Sequence, residues 1–600
     1  MSTYIAPVRD MHFVLNELAG PEEITGLPGY EETSPDLAEA ILDEAGKFAS
    51  EVLDPINRQG DRQGCTCQGG VVTAADGFKE AYQLFCDTGW NGMPAATEFG
   101  GQGLPALVST AVLEMWKSSN MAFSLCQMLT LGAVEAIAHH GSEELKRTYL
   151  PNMVAGTWTG TMNLTEPQAG SDLAAIRTRA VPDGDFFRIT GTKIFITWGE
   201  HDMAENIVHL VLARLPDAPP GVKGISMFVV PKFLVNKDGS LGERNDLVCA
   251  SIEHKMGIHG SPTAVMAFGE KQGAVGYLVG EAGKGLAYMF TMMNHARLNV
   301  GLEGVAIAER AYQHALAYAR ERVQGAPIGH KSGETRTILH HPDVRRMLMD
   351  MKSRTEAMRA LAYWVAAQMD RARRHSDPAV RQQAQAYVDF LTPVVKGWST
   401  ESAVDIASTG IQVHGGVGFI EETGACQYYR DARITPIYEG TTGIQANDLI
   451  GRKLAREKNE RGDTGVTAKA WLEEVSTFAT GLAPDSQLGE IGIALRRAVG
   501  NMQEATAWLL SNYDGHPQAA AAGAVPYLKL TGIVAGGWLM ARAARIAQER
   551  LAAGSGDDYY RAKLATARYF AAHVLPQAAG LKDAIVGGSA AVLALPESLF

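Results

Sequence analysis

A glutamate, Glu439, stands in the string ITPIYEGTTGIQ (434–445), between Tyr438 and Gly440 and just ahead of a helix expected from Thr441-Thr442. Ile437 and Tyr438 beside it are residues that could enclose a carboxylate in apolar surroundings. Desolvation there disfavours the charged form and raises the pKa towards a working pH, as a general base requires. The plainer alternative is a helix-start acid stabilised by the macrodipole, and this string alone favours it. A second string, IQVHGGVGFIEE (411–422), interrupts a helical pattern with Gly415-Gly416 and Gly418, exposing backbone N–H groups that suit a diphosphate. Its alternative is an ordinary helix–helix connection. A third, LTEPQAGSD (164–172), supplies hydroxyls at Thr165 and Ser171 and close backbone approach at Ala169-Gly170, or else is a turn with hydroxyl caps.

The elements that must position these strings fall in blocks. Residues 1–34 read as irregular. A helix is expected over 35–58, with Ser34 as N-cap, followed by helical patterns near 76–88, 105–118, 121–140 and 142–155, so the first block reads as all-helical. FFRITGTKIFIT (186–197), NIVHLVLARL (206–215), GISMFVVPKFL (224–234) and TAVMAFG (263–269) are β-branched and aromatic, separated by turn residues, and predict a β domain. Long helical periodicity returns over 285–322, 341–374, 377–409 and 441–456, suggesting a four-helix bundle, and alanine-rich helical segments continue to the end. The expected division is 1–34 as an extension, 35–158 helical, 159–280 β, 281–458 bundle, and 459–600 as an additional helical domain. The fold class is therefore mainly α with a central β domain; segregated blocks do not make a doubly wound α/β protein.

Several functions are disfavoured. A net charge of −12 argues against general nucleic-acid binding. No GxGxxG follows a strand and no GxxxxGK[ST] occurs, so neither a Rossmann nor a P-loop site is supported. No uninterrupted apolar run is long enough to predict a membrane span, and the opening shows no signal-peptide pattern. Six scattered cysteines fit reduced thiols in a cytoplasm; Cys65-Thr66-Cys67 is the one close pair and lacks a second pair at zinc spacing, so no metal is expected.

Taken in order, the three strings together with KIFITWG (193–199), the Arg297 region and RERVQGAPIG (320–329) resemble the acyl-CoA dehydrogenase family over roughly 35–455. The resemblance implies a helical N-terminal domain, a β-barrel-like middle domain, a four-helix bundle and a FAD cofactor. It implies Glu439 as catalytic base, with Thr165, Ser171, Phe195, Thr197, Arg322, Gln324, Gln412, Gly416, Thr441 and Gly443 at flavin-contacting positions. Ser171, Asn294, Arg297 and Gly440 would face the acyl-CoA. A minority of members carry the base on the helix near Arg297, but MMNHARLN (292–299) has no carboxylate, which supports Glu439 as sole base.

There are departures. Phe195 replaces a tryptophan common against the flavin, Trp198 follows Thr197 where a small polar residue is commoner, and Met162 sits where medium-chain members have an aromatic. The segment beyond 460 and the opening YIAPVRDMHFVLNE resemble a long bacterial subgroup acting on 3-(methylthio)propanoyl-CoA or on a broad range of fatty acyl-CoAs. That implies a short or medium acyl substrate, a homodimer, and an electron-transferring flavoprotein as acceptor. Alternatives are a long-chain or broad-range dehydrogenase, an oxidase using O₂, a flavin monooxygenase, and a non-enzymatic binding protein.

Overall fold

Ser34 opens the Pro35–Phe48 helix: its hydroxyl accepts from the Leu37 amide at 3.1 Å, and Pro35 takes a first-turn position where a missing N–H costs nothing. This computed structural model describes residues 3–20, 24–331, 333–482 and 487–600. Two compact units form, one from Glu44–Leu104 with Met115–Asn299, the other from Met1–Asp43, Pro105–Glu114 and Val300–Phe600.

In the first unit, Phe48, Phe85, Trp90 and Trp116 pack in edge or tilted contacts, with Trp90 and Trp116 centroids 5.3 Å apart. The first block is not all-helical. A two-stranded hairpin, Thr66–Gln68 with Val71–Thr73, turns at Gly69-Gly70 and carries Cys67. Two adjacent glycines supply the turn, and Val72 packs inward against the β core, which is why so short a pair is held.

The central sheet has eight strands. Its order is Leu247–Ile252, Thr263–Phe268, Phe186–Thr197, Ala274–Leu278, Ile225–Pro231, Asn206–Arg214 and Trp158–Asn163, with Arg179–Asp183 pairing to Phe186–Thr197 and Asn206–Arg214. Trp158–Asn163 runs parallel to Asn206–Arg214, and the long ladders on either side are antiparallel. Ile189, Val211, Phe228, Val230 and Met266 form its buried core.

In the second unit, residues 1–34 are not irregular throughout. Val8–Phe13 is α-helix and Val14–Leu18 continues it as a π-turn, with Phe13, Val14, Leu15 and Leu18 buried. Helical spacing of these apolar residues holds the segment despite Pro7. The bundle comprises Gly285–Glu321 from Val300 onward, Pro342–Arg374, Pro378–His414 and Thr442–Ile450. Appended helices Val466–Thr480, Gln487–Asn512, Ala524–Ala552, Asp558–Tyr569 and Gln577–Gly587 follow. The Ala524–Ala552 helix approaches the bundle closely: a Cβ on Gly532 would lie 2.2 Å from Trp398 Cγ, so only glycine fits. Met121–His140 and Ala524–Ala552 are long and apolar enough to cross a membrane, but 89% and 83% of the apolar windows are buried inside the fold, as for core helices.

Two histidines are buried, His209 on strand Asn206–Arg214 and His201 shortly before it. His201 accepts the Met203 amide at Nδ1 (3.2 Å) and its Nε2 meets Thr159 Oγ1 at 2.9 Å; His209 Nδ1 meets Thr161 Oγ1 at 2.7 Å. Burial, with Lys232 nearby, drives both pKa values down to about 3, so both rings stay neutral in the fold. An unfolded histidine protonates near 6.5, so the unfolded chain binds more protons between those values. This contribution is complete above pH 6.5 and is lost as pH falls towards 3. Each histidine adds about 1.4 kcal/mol per pH unit in that window. Urea unfolding at pH 6, 5 and 4 is expected to show stability falling by about 2–3 kcal/mol per unit, and His209→Gln should roughly halve that slope. A stability independent of pH over this range would contradict the assignment.

Candidate active site

The site residues expected from the sequence are distributed over both units, and each group is built by its own local devices. In the sheet-bearing unit, the 164–178 segment leaves strand Trp158–Asn163 and folds back on itself, Glu166 and Ala169 exchanging amide–carbonyl bonds at 2.9 Å. The Glu166 carboxylate is buried and accepts five hydrogen bonds. They come from Gln168 Nε2 (2.7 Å), the Arg177 amide (2.7 Å), the Thr178 amide (3.0 Å), Thr178 Oγ1 (2.6 Å) and Lys193 Nζ (2.8 Å). Burial alone would raise its pKa, but Lys193 and these donors win and hold it down at about 2. Lys193 also donates to the Leu164 carbonyl at 2.9 Å, and the Ile194 amide donates to the Thr165 carbonyl at 2.9 Å. Thr165 is thereby fixed beside strand Phe186–Thr197.

That strand bulges against Thr263–Phe268 where the register shifts between Ala264 and Met266. At the bulge Phe195 takes φ +61°, unfavourable for a bulky residue, and its ring is 59% exposed. Thr197 is half-buried on the same strand. Trp198, also left-handed at φ +53°, turns inward: its Nε1 donates to the Ala122 carbonyl at 3.1 Å and its ring packs on Phe78. The departure at 198 is therefore a core residue. Ser171 is exposed, and neighbouring Asp172 caps a short 3-10 turn by accepting from the Ala174 amide at 3.0 Å. On helix Gly285–Glu321, Asn294 is exposed, whereas Arg297 is buried, its guanidinium carbon 5.8 Å from the Phe290 ring centroid.

In the other unit, Glu439 lies in the turn between helices Ala425–Ala432 and Thr442–Ile450, half-buried, with φ +56°. The turn is fastened on several sides. Gln445 Nε2 donates to the Glu439 carbonyl at 3.1 Å, Lys396 Nζ to the Gly440 carbonyl at 2.8 Å, and the Thr442 amide to the Pro436 carbonyl at 3.0 Å. Thr442 Oγ1 donates to Glu401 at 2.5 Å, while Thr441 is the N-cap, accepting from the Ile444 amide at 3.3 Å. Gly440 has φ +87°, and a Cβ there would come within 2.7 Å of Gln445 Nε2.

One expectation is corrected here. Ile437 is 45% exposed and does not wall in the carboxylate. The backbone turn points it outward, and the Tyr438 hydroxyl donates instead to Glu303, its pKa pushed far up by burial and by that carboxylate. The 292–299 stretch has no acid, as read, but the same helix carries one further on. Glu303, one helical turn beyond Asn299, is wholly buried and bonded to Tyr438.

Further polar residues expected at the site lie elsewhere in the same unit. Arg322 ends the Gly285–Glu321 helix and its Nη2 donates to Gln324 Oε1 at 3.3 Å. The Ile338 amide donates to the Arg322 carbonyl and the Gln324 amide to the Arg336 carbonyl, making a narrow two-sided loop. Helix Pro378–His414 runs to the glycine string, where His414 stacks on Tyr318 with centroids 4.6 Å apart. Gln412 and Gly416 are exposed, and a Cβ on Gly415 or Gly416 would meet nothing within 4 Å, so the backbone there is open to a ligand. Thr441 is exposed and Gly443 half-buried.

Sequence reasoning missed Glu166, Lys193, Gln445, Lys396 and Glu303. The first three lay inside the quoted strings without a recognised role. Glu303, in the apolar run VGLEGVAIA, could have been flagged as an acid with no solvated face; Lys396 carries no local signal. Among the described residues no cluster of metal-ligating side chains occurs.

Comparison with known proteins extends over nearly the whole chain. Family models described as the acyl-CoA dehydrogenase N-terminal, middle and C-terminal domains match residues 35–157, 161–270 and 283–454, and an acetyl-CoA dehydrogenase C-terminal-like model matches 471–596. The chain is 48% identical to a 3-methylmercaptopropionyl-CoA dehydrogenase of Ruegeria pomeroyi over 96% of each chain. It is 35% identical to a broad-specificity linear acyl-CoA dehydrogenase of Mycobacterium tuberculosis over the full length of both. The crystal structure of an acyl-CoA dehydrogenase from Bacillus anthracis, complexed with FAD, shares the fold with a TM-score of 0.72 at 21% identity, covering 98% of this chain and 93% of that one. The helical, β and bundle architecture, the appended helices and these relatives together make the chain a member of the acyl-CoA dehydrogenase family, and an acyl-CoA dehydrogenase by activity.

Proposed function

We propose that the protein performs FAD-dependent α,β-dehydrogenation of an acyl-CoA to the trans-2-enoyl-CoA, with Glu439 removing the α-proton. The observation that carries this reading is the backbone of Glu439. A non-glycine residue is held left-handed, at about 1–3 kcal/mol of strain, by hydrogen bonds from Gln445 and Lys396 to its own and the next carbonyl. Strain retained by that much support is a mark of a functional side chain.

The residues present suit FAD. Phe195 offers an exposed aromatic face at a bulge, Thr165, Ser171 and Thr197 offer hydroxyls nearby in sequence or strand, and Gly415-Gly416 leave open backbone. Arg322 and Gln324, with Gln412, Gly416, Thr441 and Gly443, would hold the diphosphate and adenosine portions. Bound FAD supplies a two-electron acceptor for the β-hydride. The chain supplies the rest. The Glu439 carboxylate takes the proton, its own backbone N–H donates to the thioester oxygen as negative charge develops, and Gly440 leaves room for the thioester. Tyr438, tied to Glu303 and kept protonated, steadies the turn carrying the base. Asn294 and Arg297 would line the CoA end, with Ser171 contacting substrate as well. Glu439→Gln is nearly isosteric and cannot accept the proton. It should keep its flavin and bind acyl-CoA, yet bleach the flavin about a thousandfold more slowly on anaerobic mixing. Unchanged bleaching would remove Glu439 from the reaction.

The acyl group is proposed to be 3-(methylthio)propanoyl or a short to medium straight chain, on the strength of the Ruegeria relative. A thioether and a methylene differ little in size and polarity, so the straight-chain alternative stands beside it, supported by the broad-specificity relative. Anaerobic mixing with acyl-CoAs of C3 to C16 and the methylthio thioester should give fastest bleaching with the methylthio or a C4–C8 compound. Fastest bleaching at C12 or longer would overturn this. We place the enzyme in the cytoplasm, with an electron-transferring flavoprotein as acceptor; peroxide formed in proportion to turnover would indicate an oxidase instead.

A homodimer is proposed from the glycine string and RERVQGAPIG, whose apolar side chains Ile328 (92%), Val417 (43%) and Phe419 (86%) are exposed on the isolated chain. Light scattering should give twice the 64.3 kDa chain mass, and Phe419→Asp should shift it towards monomer with loss of FAD. A tetrameric mass would contradict the proposal.

A further inference from the structure

The hairpin Thr66–Gln68 with Val71–Thr73 takes no part in the strings described above, and it carries one half of a thiol pair. Its register sets Cys67 opposite Val72, which is wholly buried in the core of the β domain. Cys249, on strand Leu247–Ile252, belongs to that same core, and Cys67 packs against the core from the hairpin. The two backbones come close as well. A Cβ on Gly70, at the hairpin's turn, would lie 2.6 Å from Val248 Cγ2 and 3.5 Å from the Cys249 carbonyl oxygen. All of these residues belong to one compact unit.

The two thiols differ in access. Cys249 is 1% exposed, at a point where the register against Thr263–Phe268 shifts between Cys249 and Ser251, and its Sγ donates to the Ser251 carbonyl at 3.3 Å. Burial pushes this thiol up to about 12, and charge and hydrogen bonding from Cys67 add to the rise. Such a thiol is a poor first nucleophile towards anything in solution. Cys67 is half-buried, so a small solute reaches it first. Cys65, two residues earlier, is engaged elsewhere. Its Sγ donates to the Gly260 carbonyl at 3.4 Å, and burial pushes it up to about 11. The hairpin therefore brings one accessible thiol against one enclosed thiol, an arrangement that an isolated core cysteine does not offer.

We propose that Cys67 and Cys249 form an oxidative cross-linking site, with Cys67 meeting hydrogen peroxide and Cys249 resolving the product. The Cys67 sulfur attacks one peroxide oxygen, the O–O bond breaks, and Cys67 becomes a sulfenic acid with release of one water. The Cys249 sulfur then attacks the Cys67 sulfur. The S–S bond forms, the S–O bond breaks, and hydroxide leaves with the Cys249 proton as a second water. The two thiols are together oxidised by two electrons, and the peroxide is reduced to water. The bond fastens the hairpin, which joins helices Asp54–Gln63 and Phe78–Asp87, to an outer strand of the central sheet. It also closes a long loop in the unfolded chain, which favours the folded unit, and a dithiol reductant reverses it.

The test treats the holoenzyme with hydrogen peroxide, stops the reaction with catalase, and maps the thiols by denaturing alkylation and peptide mass spectrometry. Two of the six thiols should be lost to alkylation. The peptides carrying Cys67 and Cys249 should appear joined, and dithiothreitol should restore both thiols. Cys249→Ala should stop the reaction at a sulfenic acid on Cys67 that dimedone traps, an adduct that the unaltered chain should scarcely form. Cys67→Ser should abolish cross-link and adduct alike, and it decides the matter if the buried alanine variant fails to fold. The cross-linked chain should melt a few degrees above the reduced one and lose that gain with dithiothreitol. A bond from Cys65 to either partner, over-oxidation of Cys67 with no bond to Cys249, or no loss of thiols would overturn the proposal. A cross-linked chain that melts no higher than the reduced one would overturn the fastening assigned to the bond.

Discussion

One buried guanidinium organises the larger unit. Arg359, 1% exposed on the bundle helix Pro342–Arg374, donates to Glu114 at 2.6 Å, Glu309 at 2.7 Å and Asp10 at 2.8 Å. Asp10 also accepts from Lys563, which bonds Glu356 at 2.5 Å, and from the Tyr559 hydroxyl at 2.6 Å. These groups come from the N-terminal helix, the Ala106–Ser119 helix, two bundle helices and the appended domain. Buried ions add little net stability against well-packed apolar substitutes, but each is costly to leave unpaired. The cluster therefore acts as a lock with one setting: any helix that slips strands a charge. Glu114 sits so deep that its carboxyl is raised despite Arg359, and the Tyr363 hydroxyl at 2.7 Å completes its shell.

Locks of the same kind hold the functional strings. Glu166 and Lys193 pair out of solvent, and five donors on one carboxylate fix the loop that carries Thr165 and Ser171. Lys396 and Gln445 do for the Glu439 turn what Lys193 does for that loop, with backbone carbonyls in place of a carboxylate. Of the four non-glycine residues with positive φ among the described residues, Phe195, Trp198 and Glu439 lie in these strings. Backbone strain is concentrated where side chains must be aimed and is offset by polar contacts nearby. Phe195 is exposed and Trp198, just past the strand end, is buried, so the two left-handed residues send one aromatic outward and the other into the core.

The appended helices belong to the same packing. Gly532 against Trp398 and Lys563 against Asp10 and Glu356 bring them into contact with the bundle and with the chain's first helix. A segment of helices with its own apolar faces would otherwise need a polar surface on that side. Instead it buries Trp471 and Trp538 beside the bundle's Trp364 and Phe390.

By itself the sequence determined what depends on local pattern. Helical spacing with Ser34 and Pro35 at its start, β-branched runs between turn residues, the order of the blocks, and the strings around Thr165, Gly416 and Glu439 were all legible, because period, capping and glycine content act over a few residues. Only the tertiary structure decided what depends on residues far apart in the chain. Glu303 reaching Tyr438, Lys396 holding Gly440, Arg359 gathering three acids, and Ile437 turning outward follow from burial and pairing across long separations. A hydrophobic run such as VGLEGVAIA shows that a carboxylate is buried there, but not which partner makes its burial tolerable. The hairpin at Gly69-Gly70 and the helix at Val8 escaped the local pattern for the same reason, since each is too short to hold without the core against which it packs.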